Sequence, residues 1–195
     1  MNWLSDQTRG IEPPDTIIHL GAGTCRELDL YQSLSPQQIV LVEADPEQVE
    51  ILQNKARSAD NVRIIECAVS GATAEGGHEQ LHVMSDPGFS SLKQPTGLFE
   101  LFPGLEVVRQ ISLETRGIIE LLDTLQLNAS ANHWLYVDTP GIEAELLRAI
   151  TGSGELQLFS HLFIHAGAES FYTDAAPMQQ LSAELGELGY RAMGQ

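Results

Sequence analysis

A glycine-containing turn between two short apolar segments near the N-terminus constrains the fold of this chain most. Residues 17–20 predict a buried strand, residues 21–23 (Gly-Ala-Gly) predict a sharp turn, and residues 26–33 predict a helix. A second strand is predicted over residues 39–42 and ends at Glu43. A carboxylate in this place, about 20 residues past the turn, is typical of units that hold the two hydroxyls of a ribose. We therefore expect a ligand that contains a nucleoside.

Strand and helix patterns alternate along most of the chain, which is typical of a parallel sheet covered by helices on both faces. Further strands are predicted over residues 62–66, 134–138, 159–165 and 190–193, and helices over 46–59, 116–127, 142–150 and 174–188. Residues 80–84 are expected to form an added strand or hairpin, and residues 106–113 an edge strand. These patterns predict one α/β domain over residues 1–195, with a doubly wound sheet and a cleft at the carboxyl ends of strands one and four.

The charge of the chain excludes some classes of partner. It carries 27 acidic and 10 basic residues, a formal net charge of −17. Such a surface repels nucleic acids and anionic membranes, because binding to either depends on Lys and Arg. No basic N-terminal start followed by an apolar stretch is seen, and no segment approaches the roughly 18 apolar residues of a membrane helix. Cys25 and Cys67 form no CxxC pair and are expected to be buried and reduced. A soluble, cytoplasmic protein is expected.

Residues 85–104 are the least regular part of the sequence. Turn-forming residues surround an apolar cluster within residues 98–105. Two interpretations stay open: a lid or substrate loop on a regular scaffold, or a short helix packed on the core. Residues 98–105 are also a candidate surface for a homodimer or a protein partner.

Five segments in a fixed order carry a resemblance to a known family. They are the glycine turn at 21–23, EADPE at 43–47, CAV at 67–69, FSSL at 89–92 and YVDTPGIEAELLRA at 136–149. Together they resemble the S-adenosylmethionine-dependent methyltransferases of the FkbM type over residues 16–190. The resemblance implies a Rossmann-like class I methyltransferase sheet and an enzyme that methylates a hydroxyl group on a small or glycan-like acceptor.

The resemblance also implies roles for individual residues. Gly21 and Gly23 would approach the methionine part of S-adenosylmethionine, Glu43 would bind its ribose, and the backbone of residues 67–68 would lie along its adenine. Asp138 would face the methyl group and the acceptor. The expected cofactor contacts are His19, Gly21, Ala22, Gly23, Glu43, Ala44, Cys67, Ala68 and Asp138.

Asp138 and His165 are the candidate catalytic residues. His165 ends the fifth main strand beside the cleft, where an imidazole can act as a base near neutral pH. A structural role without chemistry stays open as the alternative for each acidic or imidazole side chain. His165 can be a structural histidine, Glu43 a helix cap, Asp138 a turn-forming residue, and Glu143 an acid that favours the helix dipole without any chemical role.

Four positions depart from the family pattern. His19 stands where an acidic residue is usual, Cys25 where a third glycine is common, and Cys67 where a polar residue often recognises adenine. The end of the fifth strand reads Ile164-His165 where an acidic residue is common. These departures leave an alternative function open, that of a catalytically silent interaction or regulatory module. A third hypothesis, a dinucleotide-dependent oxidoreductase, fits the glycine turn and Glu43, but the strand-four segment argues against it.

No metal site is expected from the spacing of the histidines. His161 and His165, like His78 and His82, are four residues apart on predicted strands, which separates them by roughly 13 Å. That distance is too large for two ligands of one ion. His133 precedes strand four, at the end of the sheet opposite the cleft, and is interpreted as a surface or packing residue.

Overall fold

The computed structural model describes Thr8 and residues 10–71 and 77–193. Residues 1–7, 9, 72–76 and 194–195 lie outside the described part. Within that part the strands are β1 (Thr16–Leu20), β2 (Gln38–Glu43), β3 (Val62–Glu66), β4 (Ala68–Ser70), β5 (Gly77–Met84), β6 (Val107–Gly117), β7 (His133–Val137) and β8 (Phe159–Ile164). The α-helices are α1 (Leu28–Ser33), α2 (Pro46–Ala56), α3 (Leu98–Leu101), α4 (Ile118–Asp123), α5 (Glu143–Ser153) and α6 (Met178–Glu187).

Five parallel strands form the main sheet, in the order β3-β2-β1-β7-β8. β1 lies in the middle, with Ile18 in register with Val40 of β2 and Leu135 of β7. The strand order reverses between β1 and β7, and a reversal of this kind opens a crevice at the carboxyl ends of the strands. The predicted cleft at strands one and four corresponds to this point.

Successive residues of β1 enter two separate apolar cores, because side chains alternate across a strand. Ile18 and Leu20 belong to a core that includes residues of α4 and α5. Ile17 belongs to the opposite core, with Leu28 of α1 and Leu52 of α2. Helices therefore cover both faces of the sheet, as predicted, and the fold is an α/β, Rossmann-like arrangement. No helix of the described residues is long and apolar enough to cross a membrane.

A second, three-stranded sheet lies beside the main one, in the order β4-β6-β5. β6 runs parallel to β4 and antiparallel to β5. The prediction of a helix from residue 116 is wrong at its start, since Thr115 and Arg116 still pair with β4 and the helix begins at Ile118. The predicted edge strand at 106–113 is instead the middle strand of this sheet. The expected strand or hairpin at 80–84 is β5.

The C-terminal prediction is also corrected. Residues 190–193, predicted as a strand, have no strand structure. The Tyr190 hydroxyl instead donates to the carbonyl oxygens of Leu156 and Phe159, at 2.9 and 2.8 Å. These contacts attach the segment to the start of β8 through a side chain rather than through a backbone ladder.

The irregular segment contains a 3-10 turn (Pro87–Phe89) and the four-residue helix α3. Leu98 of α3 is buried, as the packed-helix interpretation requires. Phe99, Leu101 and Phe102 are exposed by 39%, 57% and 45%. The segment thus packs on the core through one residue and leaves large apolar side chains at the surface.

Candidate functional site

A cavity of about 710 Å³ lies at the carboxyl edge of the main sheet. Its walls come from the turn after β1, the ends of β2, β3, β7 and β8, and the loop at residues 86–92. Every site residue predicted from sequence lines it: His19, Gly21, Ala22, Gly23, Glu43, Ala44, Cys67, Ala68, Asp138 and His165. The volume is within the range of roughly 300–1,000 Å³ that small-molecule and cofactor sites occupy.

The turn after β1 brings the backbone against the end of β7. Gly21 has a φ of +73°, and a Cβ added there would lie 1.9 Å from the carbonyl oxygen of Asp138. The amides of Gly21 and Ala22 both donate to the Val42 carbonyl at 2.9 Å. Glycine is therefore required at residue 21, because the backbone of Asp138 leaves no room for a Cβ. Gly23 also has a positive φ, +50°, but a Cβ there would meet nothing within 4 Å.

Glu43 joins the turns that follow β1 and β2. Its Oε2 accepts from the Gly23 amide at 2.6 Å, and its Oε1 accepts from the amides of Ala44 and Asp45 at 2.8 Å each. Burial raises the pKa of Glu43, and these three amides oppose that rise. The helix-cap alternative is wrong for Glu43, because Asp45 caps α2 by accepting from the Glu47 amide at 3.0 Å. A carboxylate has about four acceptor positions, so about one remains for an outside donor.

Asp138 and His165 form a pair at the ends of β7 and β8. His165 Nδ1 lies 3.0 Å from Asp138 Oδ1. Their backbone amides continue the main sheet, since Asp138 donates to the Leu20 carbonyl and His165 to the Val137 carbonyl, both at 2.9 Å. The hydrogen bond to Asp138 raises the pKa of His165. Because the His165 side chain is 71% exposed, the pair can exchange a proton with a molecule in the cavity.

Glu143 supports the turn after β7. It is 3% exposed, and its Oε2 accepts from the Gly141 amide at 3.0 Å. Burial raises the pKa of Glu143 to about 7. Its side chain therefore contacts the turn, and the helix-dipole role stays a prediction.

His19 is enclosed between two tyrosines and is 1% exposed. Its Nδ1 lies 3.1 Å from the Tyr31 hydroxyl, and its ring centroid lies 4.2 Å from that of Tyr136. Burial lowers the pKa of His19 to about 4, so the imidazole is neutral. Its Nε2 has no hydrogen-bond partner among the described residues. His19 therefore supplies no charge to the cavity.

Cys25 adopts a left-handed backbone conformation, with φ of +44°, where glycine would be easier. Its side chain is buried, and burial raises the pKa of its thiol to about 12. Lys55 holds this turn by donating to the carbonyl oxygens of Thr24 and Cys25. One ligand atom each of His19, Cys25 and Glu27 lie within 4.8 Å of one another.

The loop at residues 86–92 forms one wall of the cavity. Ser91 donates from its hydroxyl to the Pro140 carbonyl, and Tyr172 donates to the Phe89 carbonyl at 2.9 Å. Sequence reasoning missed Tyr172 because nothing in its local pattern links it to a loop 83 residues earlier. Tyr136 was also missed, although alternation along β7 puts it on the same side as Asp138, two residues later.

Comparison of the chain with protein-family models, curated proteins and solved structures finds no match. The class is therefore defined by the fold and the cavity alone. This is a Rossmann-like α/β protein with a glycine turn, a backbone-bound carboxylate and a carboxylate–imidazole pair around one cavity.

Proposed function

We propose that this protein is an S-adenosylmethionine-dependent O-methyltransferase that acts on a small hydroxylated or glycan-like acceptor. The observation that carries the proposal is the Asp138–His165 pair, joined at 3.0 Å in the same cavity as the glycine turn and Glu43. The same cavity thus offers groups suited to a nucleoside and a group that can act as a base.

The walls of the cavity fit the cofactor in two respects. Gly23 presents open backbone, since a Cβ there would meet nothing within 4 Å, so a ligand can approach it closely. Glu43 has about one acceptor position left for a ribose hydroxyl. The backbone of residues 67–68 would lie along the adenine. When bound, the cofactor would supply a methyl group already activated by its sulfonium.

The protein's part in the reaction would be alignment and proton removal. Alignment of the acceptor oxygen with the methyl group can contribute several kcal/mol. His165 Nε2 would accept the proton of the acceptor hydroxyl, while Asp138 accepts the hydrogen bond from Nδ1 and stabilises the imidazolium that forms. This division of roles needs His165 to be accessible, and its side chain is 71% exposed.

Calorimetric titration with S-adenosylhomocysteine, after any carried-over cofactor is stripped, tests the proposal. We expect one site of micromolar affinity. Glu43→Ala should weaken binding at least tenfold, because a hydrogen bond to a charged group contributes about 1.5–3 kcal/mol. Glu66→Ala is the matched control, since Glu66 is exposed and in register with Glu43 on the next strand. Unchanged affinity in a folded Glu43→Ala protein would remove the ribose role.

A second candidate is a protein of this fold that binds a partner and does not catalyse. The neutral His19 and the exposed apolar side chains of residues 99–102 favour it. Absence of S-adenosylhomocysteine binding would support this candidate against the first. A thermal-shift comparison of S-adenosylmethionine with NAD separates both from a dinucleotide-dependent oxidoreductase, because only a ligand that prefers the native state raises the melting temperature.

A further inference from the structure

His19, Cys25 and Glu27 converge at the floor of the cavity from one turn of chain. His19 lies in β1, Cys25 lies in the turn that follows, and Glu27 immediately precedes α1. All three line the cavity, and one ligand atom from each lies within 4.8 Å of the others. Ligand atoms around a tetrahedral zinc ion are roughly 3.3–3.8 Å apart, given bonds of about 2.0–2.3 Å. Side-chain movements of about an ångström would bring the three ligand atoms to these distances.

The hydrogen bonding of His19 is a second observation, separate from the distances between the three ligand atoms. Nδ1 is held by the Tyr31 hydroxyl at 3.1 Å, whereas Nε2 is buried and has no hydrogen-bond partner among residues 10–71 and 77–193. A buried polar atom without a partner costs free energy, so Nε2 is a nitrogen with the capacity to bind a ligand. A histidine that binds metal through one nitrogen generally has the other held by an outer group, which is the place of Tyr31.

The backbone of Cys25 gives a further argument. A residue with a Cβ in the left-handed conformation costs about 1–2 kcal/mol relative to the usual one. Cys25 accepts this conformation, φ +44°, and it carries a buried thiol toward His19 and Glu27. Strained backbone of this kind is common at functional sites, and a ligand role for the sulfur is consistent with it.

We propose that His19, Cys25 and Glu27 form a zinc site whose fourth coordination position is open to the cavity. The set combines one nitrogen, one sulfur and one oxygen ligand, all of them types that zinc accepts. A thiolate and a carboxylate balance the two charges of the ion, and the thiol proton leaves to solvent on binding. Three protein ligands with an open position are typical of zinc sites that also bind a small molecule.

The proposal is independent of the cofactor and is tested with the metal alone. Metal-free protein is titrated with zinc by calorimetry, and separately with cobalt(II), whose thiolate complex absorbs in the near ultraviolet. We expect one zinc per chain and a cobalt–thiolate band. Cys25→Ser should abolish the band and weaken zinc binding more than about tenfold, and Glu27→Gln should weaken zinc binding similarly.

Two matched controls come from the same chain. Cys67→Ser removes the other cysteine, which also lines the cavity, and His161→Asn removes a histidine outside the cluster. Both should bind zinc as the wild type does. Failure of wild-type protein to bind zinc, absence of the cobalt–thiolate band, or zinc binding that survives Cys25→Ser would each overturn the proposal. If Cys25→Ser does not fold, the wild-type cobalt spectrum and Glu27→Gln decide the question.

Discussion

His165 Nδ1 lies 3.0 Å from Asp138 Oδ1, so two residues 27 positions apart in sequence share a hydrogen bond at the cavity. Parallel pairing of β7 and β8 brings them together, because it aligns the carboxyl ends of adjacent strands. The carboxylate raises the pKa of the imidazole. Since the folded-state pKa is raised, the pair contributes stability that is full below the ordinary pKa of 6.5 and is lost as pH rises through the raised value.

We therefore expect Asp138→Asn to lower the pKa of His165, as measured by NMR titration of its ring protons. The destabilisation caused by Asp138→Asn should be larger below the pKa of His165 than above it. His161 is the internal control, because burial alone lowers its pKa. An unchanged His165 titration in the variant would show that the two side chains are not coupled in solution.

Gly21 and Gly23 provide a matched pair for backbone strain. Both have positive φ, but a Cβ would lie 1.9 Å from the Asp138 carbonyl oxygen at Gly21 and would meet nothing within 4 Å at Gly23. Gly23→Ala should cost about 1–2 kcal/mol, the cost of the left-handed conformation alone. Gly21→Ala should cost more than about 4 kcal/mol or prevent folding, because backbone must also move. Urea denaturation measures both, and equal losses would contradict the close approach.

Glu43 should contribute to stability whether or not it binds a cofactor. Glu43→Ala leaves the amides of Gly23, Ala44 and Asp45 without their acceptor. We expect a loss of at least about 2 kcal/mol in the free energy of unfolding, since hydrogen bonds to charged groups contribute about 1.5–3 kcal/mol. Glu66→Ala, at the exposed end of β3, should be close to neutral. Similar losses in the two variants would show that Glu43 does not join the turns.

The centre of the main sheet could be predicted because its strands β1, β2 and β7 are short runs buried on both faces. All five residues of β1 and of β7 are buried, and such runs read clearly as parallel strands. The second sheet was harder to predict from the sequence. β6 has exposed and partly buried residues in alternation until Thr115, and its last residues run directly into the helix that begins at Ile118. The end of β6 is set by its pairing with β4 and β5, and no local sequence pattern indicates that pairing.

The site was predictable where it depends on strand ends and unpredictable where it depends on turn geometry. Glu43 and Asp138 follow directly from the ends of β2 and β7. The approach of His19 to Cys25 and Glu27 follows from a positive φ at Cys25, which nothing in the residue types indicates. The histidine pairs considered from sequence lie on or next to β5 and β8, and they gave no signal for this cluster.

Glu143 should make stability depend on pH near neutrality. Burial raises its pKa from 4.5 to about 7, with Asp138 raising it further and His165 opposing that rise. The fold therefore favours the protonated acid, and this contribution is full below about 4.5 and lost as pH rises through about 7. Glu143→Gln cannot ionise and keeps an oxygen for the Gly141 amide. Between these two pH values, the free energy of unfolding of the variant should rise relative to that of the wild type by on the order of 3 kcal/mol.

Urea denaturation of both proteins at a series of pH values measures that difference. A constant offset between them is expected from the new amide group, so only the change of the difference with pH is informative. Glu145→Gln, on the same helix but more exposed and paired with Lys93, controls for the loss of one negative charge. Parallel stability curves for Glu143→Gln and wild type would mean that Glu143 has the same pKa in the folded and unfolded protein, with the Gly141 amide and His165 offsetting its burial.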